Sequence, residues 1–183
     1  MEMGNPQQEA SLEWKRAYFG GLFDGEGCVT ITKLKNRNPW LRVYIAQCER
    51  RKEVLFECQK VYGGKVYLAD RTTDGHWRWY ATDLVALKFL QSVLPYLYIK
   101  KQLALIAILF QTTKTAVRNC AGRWSYPGET TKFFEDCRIM VCKINQEGDA
   151  SVAETERVEL TTRGKNIRVG KYATVQSTQI ENV

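Results

Sequence analysis

Apolar positions recur at helical spacing from Leu12 to about Asp24, with Leu12, Ala17, Phe19, Leu22 and Phe23 as members, and Gly25 and Gly27 stop the pattern. The polar residues 1–11 read as a flexible lead-in. Cys28 to Lys35 is rich in β-branched residues (Val29, Thr30, Ile31, Thr32) and predicts a strand, and Asn36-Arg37-Asn38-Pro39 supplies turn chemistry. From Trp40 to Cys48 the alternation is clear: Leu41, Val43 and Ile45 point one way, Trp40, Arg42 and Tyr44 the other. A helix over 52–62 has Val54, Leu55, Cys58 and Val61 inward and ends at Gly63-Gly64. Two strands follow, about 65–71 and 76–82, joined through Thr72-Thr73-Asp74-Gly75. Helices are expected at about 83–93, 96–112 and 131–145, with Pro95 separating the first two. The order α-β-β-α-β-β-α-α-α is a mixed α/β (α+β) domain built on two antiparallel hairpins over 12–145. Residues 146–183 form a polar extension, in which 158–175 suit either a short hairpin or a loose segment.

Composition narrows the function. Lysine and arginine exceed aspartate and glutamate by 27 to 20, a formal charge of +7. Between Lys33 and Arg78 there are eleven basic and five acidic residues, so nearly all of the surplus lies in that stretch. Trp40, Tyr44, Tyr67, Trp77, Trp79 and Tyr80 are interleaved with it. Basic side chains mixed with aromatics suit a nucleic-acid surface, although a solvated basic sheet face has the same composition. The longest apolar run, Leu103 to Phe110, is eight residues and too short to span a bilayer, so no membrane partner is expected. The N-terminus lacks a basic-then-apolar signal pattern, which predicts an intracellular protein. The six cysteines include no C-x-x-C pair and His76 is the one histidine, which argues against a zinc finger and for reduced thiols. Catalysis, if present, is expected to run on carboxylates, metal and water.

The most informative segment is Tyr18-Phe19-Gly20-Gly21-Leu22-Phe23-Asp24-Gly25-Glu26-Gly27. Ala17, Gly21 and Gly25 are four apart and share one helix face. Such a small-residue stripe lets another helix backbone approach closely. Glycine costs about 1 kcal/mol against alanine inside a helix, so the stripe needs a compensating contact. Asp24 and Glu26 sit at the helix C-terminus, where the dipole already disfavours acids, which makes them candidates for a divalent cation.

This string resembles the LAGLIDADG motif of homing endonucleases, read here as FGGLFDGEG. The resemblance implies the αββαββα fold of that family, here with extra C-terminal helices, whose antiparallel sheet binds DNA. It extends over roughly 14–145: Gln47 ends the second strand, a basic residue follows four positions on, and a helix then leads to Gly63. The neighbouring Arg50 leaves two registers, and the spacing to Gly63 selects Arg51. The start of a later helix, Pro95-Tyr96-Leu97-Tyr98-Ile99-Lys100, carries Lys100 over, and Lys132-Phe133-Phe134 resembles the start of the family's last core helix. One departure is that the metal-binding acid is Glu26 in place of the commoner aspartate.

What the resemblance implies is a site-specific double-strand DNA endonuclease of the intron-homing type, dependent on Mg²⁺, with Mn²⁺ as a substitute. Glu26 and the backbone carbonyl of Gly25 would hold the metal, Asp24 would position the helix end, and Gln47, Arg51 and Lys100 would surround the reacting water. A single motif implies a homodimer on a long pseudo-palindromic site, joined through Ala17, Gly20, Gly21, Asp24 and Gly25. Strand parity assigns Thr30, Thr32, Trp40, Arg42, Tyr44, Tyr67, Arg71 and Arg78 to the DNA face, with Lys35, Asn36 and Arg37 at a hairpin tip. Parity in the second hairpin leaves Trp77 and Trp79 open between core and DNA. Two other readings share the fold: a maturase that binds intron RNA, and a DNA-binding regulator without cleavage.

Overall fold

The computed structural model describes residues 6–33, 38–70, 75–121, 126 and 128–147. Within them five helices and four strands follow the order α1 (Pro6–Glu26), β1 (Gly27–Thr32), β2 (Trp40–Cys48), α2 (Glu53–Tyr62), β3 (Lys65–Asp70), β4 (His76–Thr82), α3 (Asp83–Val93), α4 (Lys101–Ala121) and α5 (Gly128–Glu147). Short 3-10 turns at Glu49–Arg51 and Leu94–Tyr96 precede α2 and follow α3. The expected element order is present, and the sheet is antiparallel throughout in the order β1-β2-β4-β3. The two hairpins therefore join through their inner strands, β2 and β4.

Side-chain alternation splits this sheet into two faces. On one, Val29, Ile31, Leu41, Val43, Ile45, Trp79 and Ala81 are buried. The helices cover that face, and Phe19 and Phe23 of α1 enter it beside Tyr62, Phe89 and Trp79, whose rings meet at centroid distances of 4.9–5.8 Å. Such edge-on and tilted aromatic contacts add to simple area burial. Trp79 is fully buried and donates its Nε1–H to the Gly63 carbonyl at 2.8 Å. Gly63 and Gly64 both have positive φ, and a Cβ on Gly64 would lie 2.5 Å from the Tyr80 carbonyl oxygen, so only glycine lets the chain turn here. In α2 the buried set is Leu55, Cys58 and Tyr62, while Val54 and Val61 are half-buried at its flanks.

Several boundaries differ from expectation. α1 begins at Pro6, so residues 6–11 are helical; proline at a first helical position is a start signal that the polar sequence around it obscures. Residues 97–100 are not helical, and α4 starts at Lys101 and runs on to Ala121. α5 is longer by a turn at its start. It packs on β1, where Asn145 Nδ2 donates to the Val29 carbonyl at 2.9 Å. The ladder of β3 slips by one residue between Leu68 and Asp70. No helix among the described residues is long and apolar enough to cross a membrane. The hairpin tips at 34–37 and 71–74 and the polar extension from 148 lie outside the described residues.

Candidate active site and nucleic-acid face

The two acids at the end of α1 have different surroundings. The Asp24 carboxylate accepts three backbone N–H groups, from Tyr98 at 2.6 Å, Ile99 at 3.1 Å and Lys100 at 2.9 Å. These donors lie in the bend just before α4, whose first helical residue is Lys101, and only that of Lys100 belongs to the helix start itself. The segment Tyr98-Ile99-Lys100 holds no Ser, Thr, Asp or Asn of its own to cap α4. Asp24, 74 residues back in sequence, instead holds the bend that leads into α4. With their N–H groups turned to Asp24, residues 98–100 form a bend, and α4 starts later than periodicity suggests. In return the Lys100 ammonium donates to the Asp24 main-chain oxygen, one of the carbonyls that α1 leaves unpaired. Glu26, by contrast, is the exposed last residue of α1.

Lys100 is thus fixed at the acidic end of α1. Gln47 reaches the same end by register. Gly27 pairs with Ile45, so Gln47, two residues further along β2, stands level with the α1–β1 junction. Gln47 is 9% exposed and has the core parity of Ile45. Arg51 closes the 3-10 turn after β2 and is exposed. That turn is held by Glu49: its N–H donates to the Gly75 carbonyl at 3.0 Å, and its carboxylate accepts from Trp77 Nε1 and Lys52 Nζ. Lys52, and then Trp77, keep the Glu49 carboxyl below its ordinary value. Among the described residues no three His, Cys, Asp or Glu side chains form a group able to hold a metal ion. Glu26 and the Gly25 carbonyl are hard oxygen donors at an exposed helix end. Such donors suit a hard divalent cation better than zinc, which favours nitrogen and sulfur ligands.

Ala17, Gly21 and Gly25 are exposed, and a Cβ on Gly21 or Gly25 would meet nothing within 4 Å. Trp14 (65% exposed) and Tyr18 (46%) stack on one another on the exposed side of the same helix. Gly20 departs from the expected interface. It is buried, and a Cβ there would lie 2.8 Å from Tyr96 Cβ, so its closeness serves the 3-10 turn of its own chain. Asp24 likewise spends its carboxylate within the protomer.

The outward sheet face carries Thr30 and Thr32 of β1, Trp40, Arg42 and Tyr44 of β2, Arg78 and Tyr80 of β4, and Tyr67 of β3, each exposed or half-buried. These are the parities expected from sequence. Lys35, Asn36, Arg37 and Arg71 lie outside the described residues. Trp79 belongs to the core, and Trp77 shares its parity at the strand's end, against Phe56 and Glu49. The Arg42 guanidinium lies 5.8 Å from the Tyr80 ring centroid and that of Arg78 lies 5.3 Å from the Tyr44 ring. The Cys28 thiol beside it, and then partial burial, raise the Tyr44 hydroxyl above its ordinary value, so it stays neutral near pH 7. The resemblance implied that Asp24 positions a helix end; sequence reasoning missed the partners it holds, Tyr98 to Lys100, and the Glu49 knot. The first had a signal in the uncapped start of α4, and the second is long-range and had none.

The helix–hairpin–helix–hairpin–helix order over one four-stranded antiparallel sheet is the fold seen in LAGLIDADG homing endonucleases. An archaeal intron-encoded homing endonuclease solved with DNA, I-Vdi141I, superposes with a TM-score of 0.61 over 74% of this chain and 87% of its own, at 14% identity. The LAGLIDADG homing endonuclease I-SmaMI bound to cleaved DNA gives 0.50 over 67% of this chain and 42% of its own, at 12% identity. No protein-family model and no curated protein matches the sequence.

Proposed function

We propose that the protein is a site-specific, Mg²⁺-dependent double-strand DNA endonuclease that acts as a homodimer on a long pseudo-palindromic site. The observation that carries this reading is the division of labour at the end of α1. Asp24 is consumed in joining α1 to α4, Lys100 is tethered to the same helix end, and Glu26 is left exposed beside them. Homing endonucleases in complex with DNA share the fold, which points the same way.

In this reading Glu26 and the Gly25 carbonyl hold the ion, Mn²⁺ serving as a substitute. A bound divalent ion supplies Lewis acidity toward phosphate oxygens and the attacking water. The chain's own residues do the rest. The Gln47 amide orients water at the α1–β1 junction. Lys100 and Arg51 bring positive charge to the phosphate as negative charge develops on it. None of the three is a strong general base. One protomer offers one such acid, so cutting both strands calls for a second copy, with the Ala17/Gly21/Gly25 stripes in contact at the two-fold axis. The outward sheet lies in the major groove, where Arg42 and Arg78 read bases and the hairpin tips, with Lys35, Asn36 and Arg37, meet the backbone.

The test is cleavage of a library of DNA sites with Mg²⁺, for the parent protein and for Glu26→Gln. The parent is expected to cut a narrow set of sites and to stop with EDTA. Glu26→Gln is expected to bind the same sites without cutting them. Cleavage that survives either change refutes the assignment.

A further inference from the structure

The outer sheet face holds a four-residue unit that the ladder register makes nearly symmetric. Arg42 pairs with Thr82, Tyr44 with Tyr80, and Ala46 with Arg78. Each arginine lies over the tyrosine diagonal to it on the other strand, Arg42 over Tyr80 at 5.8 Å and Arg78 over Tyr44 at 5.3 Å. The two tyrosines are central and half-buried, and the two arginines are exposed. Each ring has a support of its own: Tyr67 meets Tyr80 edge-on at 5.4 Å, and Cys28 is the ladder partner of Tyr44.

A free arginine on a sheet surface samples many rotamers, and ordering it on a base costs that freedom. A planar guanidinium stacked on a ring keeps its fork of donors in the stacking plane while the ring restricts its motion. We propose that Tyr44 and Tyr80 are positioning residues for base recognition, each holding one arginine ready for a bidentate contact to guanine, which rests on the DNA-cleaving reading above. Arg78 is then set by Tyr44, and Arg42 by Tyr80.

The register also limits where the two guanines fall. The Arg42 and Arg78 rows are four residues apart along the strands, about 14 Å at the usual rise per residue. The rise between base pairs is of the same size as the strand rise. Both guanidinium groups lean toward the central tyrosine row, so the two guanine preferences should lie within about four base-pair steps of one another in each half-site.

The experiment is binding selection from randomised half-sites, read position by position, with EDTA present so that binding is scored without cleavage. The proteins are the parent, Arg42→Ala, Arg78→Ala, Tyr44→Leu, Tyr44→Phe, Tyr80→Leu and Tyr80→Phe. Each arginine variant should erase one guanine column. Tyr44→Leu should weaken the Arg78 column alone, by about two- to five-fold, which is the value of an exposed cation–ring contact, and Tyr44→Phe should restore it. Tyr80→Leu and Tyr80→Phe should do the same for the Arg42 column. A purely structural role would instead weaken every column alike, or resist rescue by phenylalanine, and either result overturns the proposal. Columns that follow the arginines but ignore the tyrosines overturn it while leaving the endonuclease reading intact. A parent protein with no sequence preference overturns both.

Discussion

Gly20 and Gly21 are neighbours on α1, yet an added methyl group meets different surroundings at each. At Gly20 the new Cβ would sit 2.8 Å from Tyr96 Cβ and 3.5 Å from the Val93 carbonyl oxygen. Tyr96 Cβ is anchored to backbone and cannot swing away. Overpacking of this kind costs about 1–3 kcal/mol, while replacing a helical glycine by alanine returns roughly 1 kcal/mol. With a contact at the severe end of that range, Gly20→Ala should lose about 1–2 kcal/mol, or about 2–8 °C of Tm for a chain of this size. At Gly21 nothing lies within 4 Å, so Gly21→Ala should stabilise the lone chain by about 1 kcal/mol. If a second copy packs there, the same methyl group weakens association. The effect of Gly21→Ala should then change sign between dilute and concentrated protein, because a dimer's Tm rises with concentration. Thermal melts across a wide concentration series, with sedimentation at both ends, read this directly. A Gly20→Ala protein as stable as the parent refutes the packing argument. A Gly21→Ala protein stabilised equally at all concentrations, while remaining a fully active monomer, refutes the dimer.

Asp24→Asn should destabilise the fold by about 1–3 kcal/mol in urea unfolding, since the amide cannot accept three N–H groups as a carboxylate does, and it should lower cleavage by releasing Lys100; unchanged stability would mean these bonds are dispensable. Lys100→Met should slow cleavage more than it lowers affinity, as single-turnover rates and titrations on one site would show. Glu49 has a folded value below its ordinary 4.5, so the stability it confers is present above that pH and fades as pH falls through the lower value; Glu49→Gln should remove this part of the acid-unfolding profile, and an unchanged profile would count against it. Burial raises the Cys58 thiol strongly and pushes that of Cys137 up to about 12, whereas Cys142 is exposed; thiol reagents should label Cys142 first and these two only on unfolding.

The sequence was most legible where one face is buried and the other wet. β2 runs from Trp40 to Cys48 as its alternation predicts, because a one-residue slip would turn Leu41, Val43 and Ile45 out to solvent. The same logic needed a partner strand to place Trp77 and Trp79, since two tryptophans of one parity suit either face until the core is assembled. The stripe at Ala17, Gly21 and Gly25 was visible as a four-residue spacing. Which glycine faces its own chain was not, because Gly20 answers to Tyr96, 76 residues on. The start of α4 escaped periodicity for a related reason: the bend before it is held from α1.

The sheet's two outer strands decide whether one copy of this chain could add to another edge to edge. β1 and β3 are the edges. At β1 the Val29 carbonyl is already taken by Asn145. At β3 the ladder slips near Asp70, and the strand begins with exposed Lys65. A slipped, charged edge and a capped one are poor templates for adding another strand. A protein with so broad an aromatic sheet surface would otherwise risk growing edge to edge into open-ended ribbons. With both rims blunted, sheet polymerisation is disfavoured, and in the dimer proposed above self-recognition would fall to the bare helix face of α1, where a pairing of two closes on itself and goes no further.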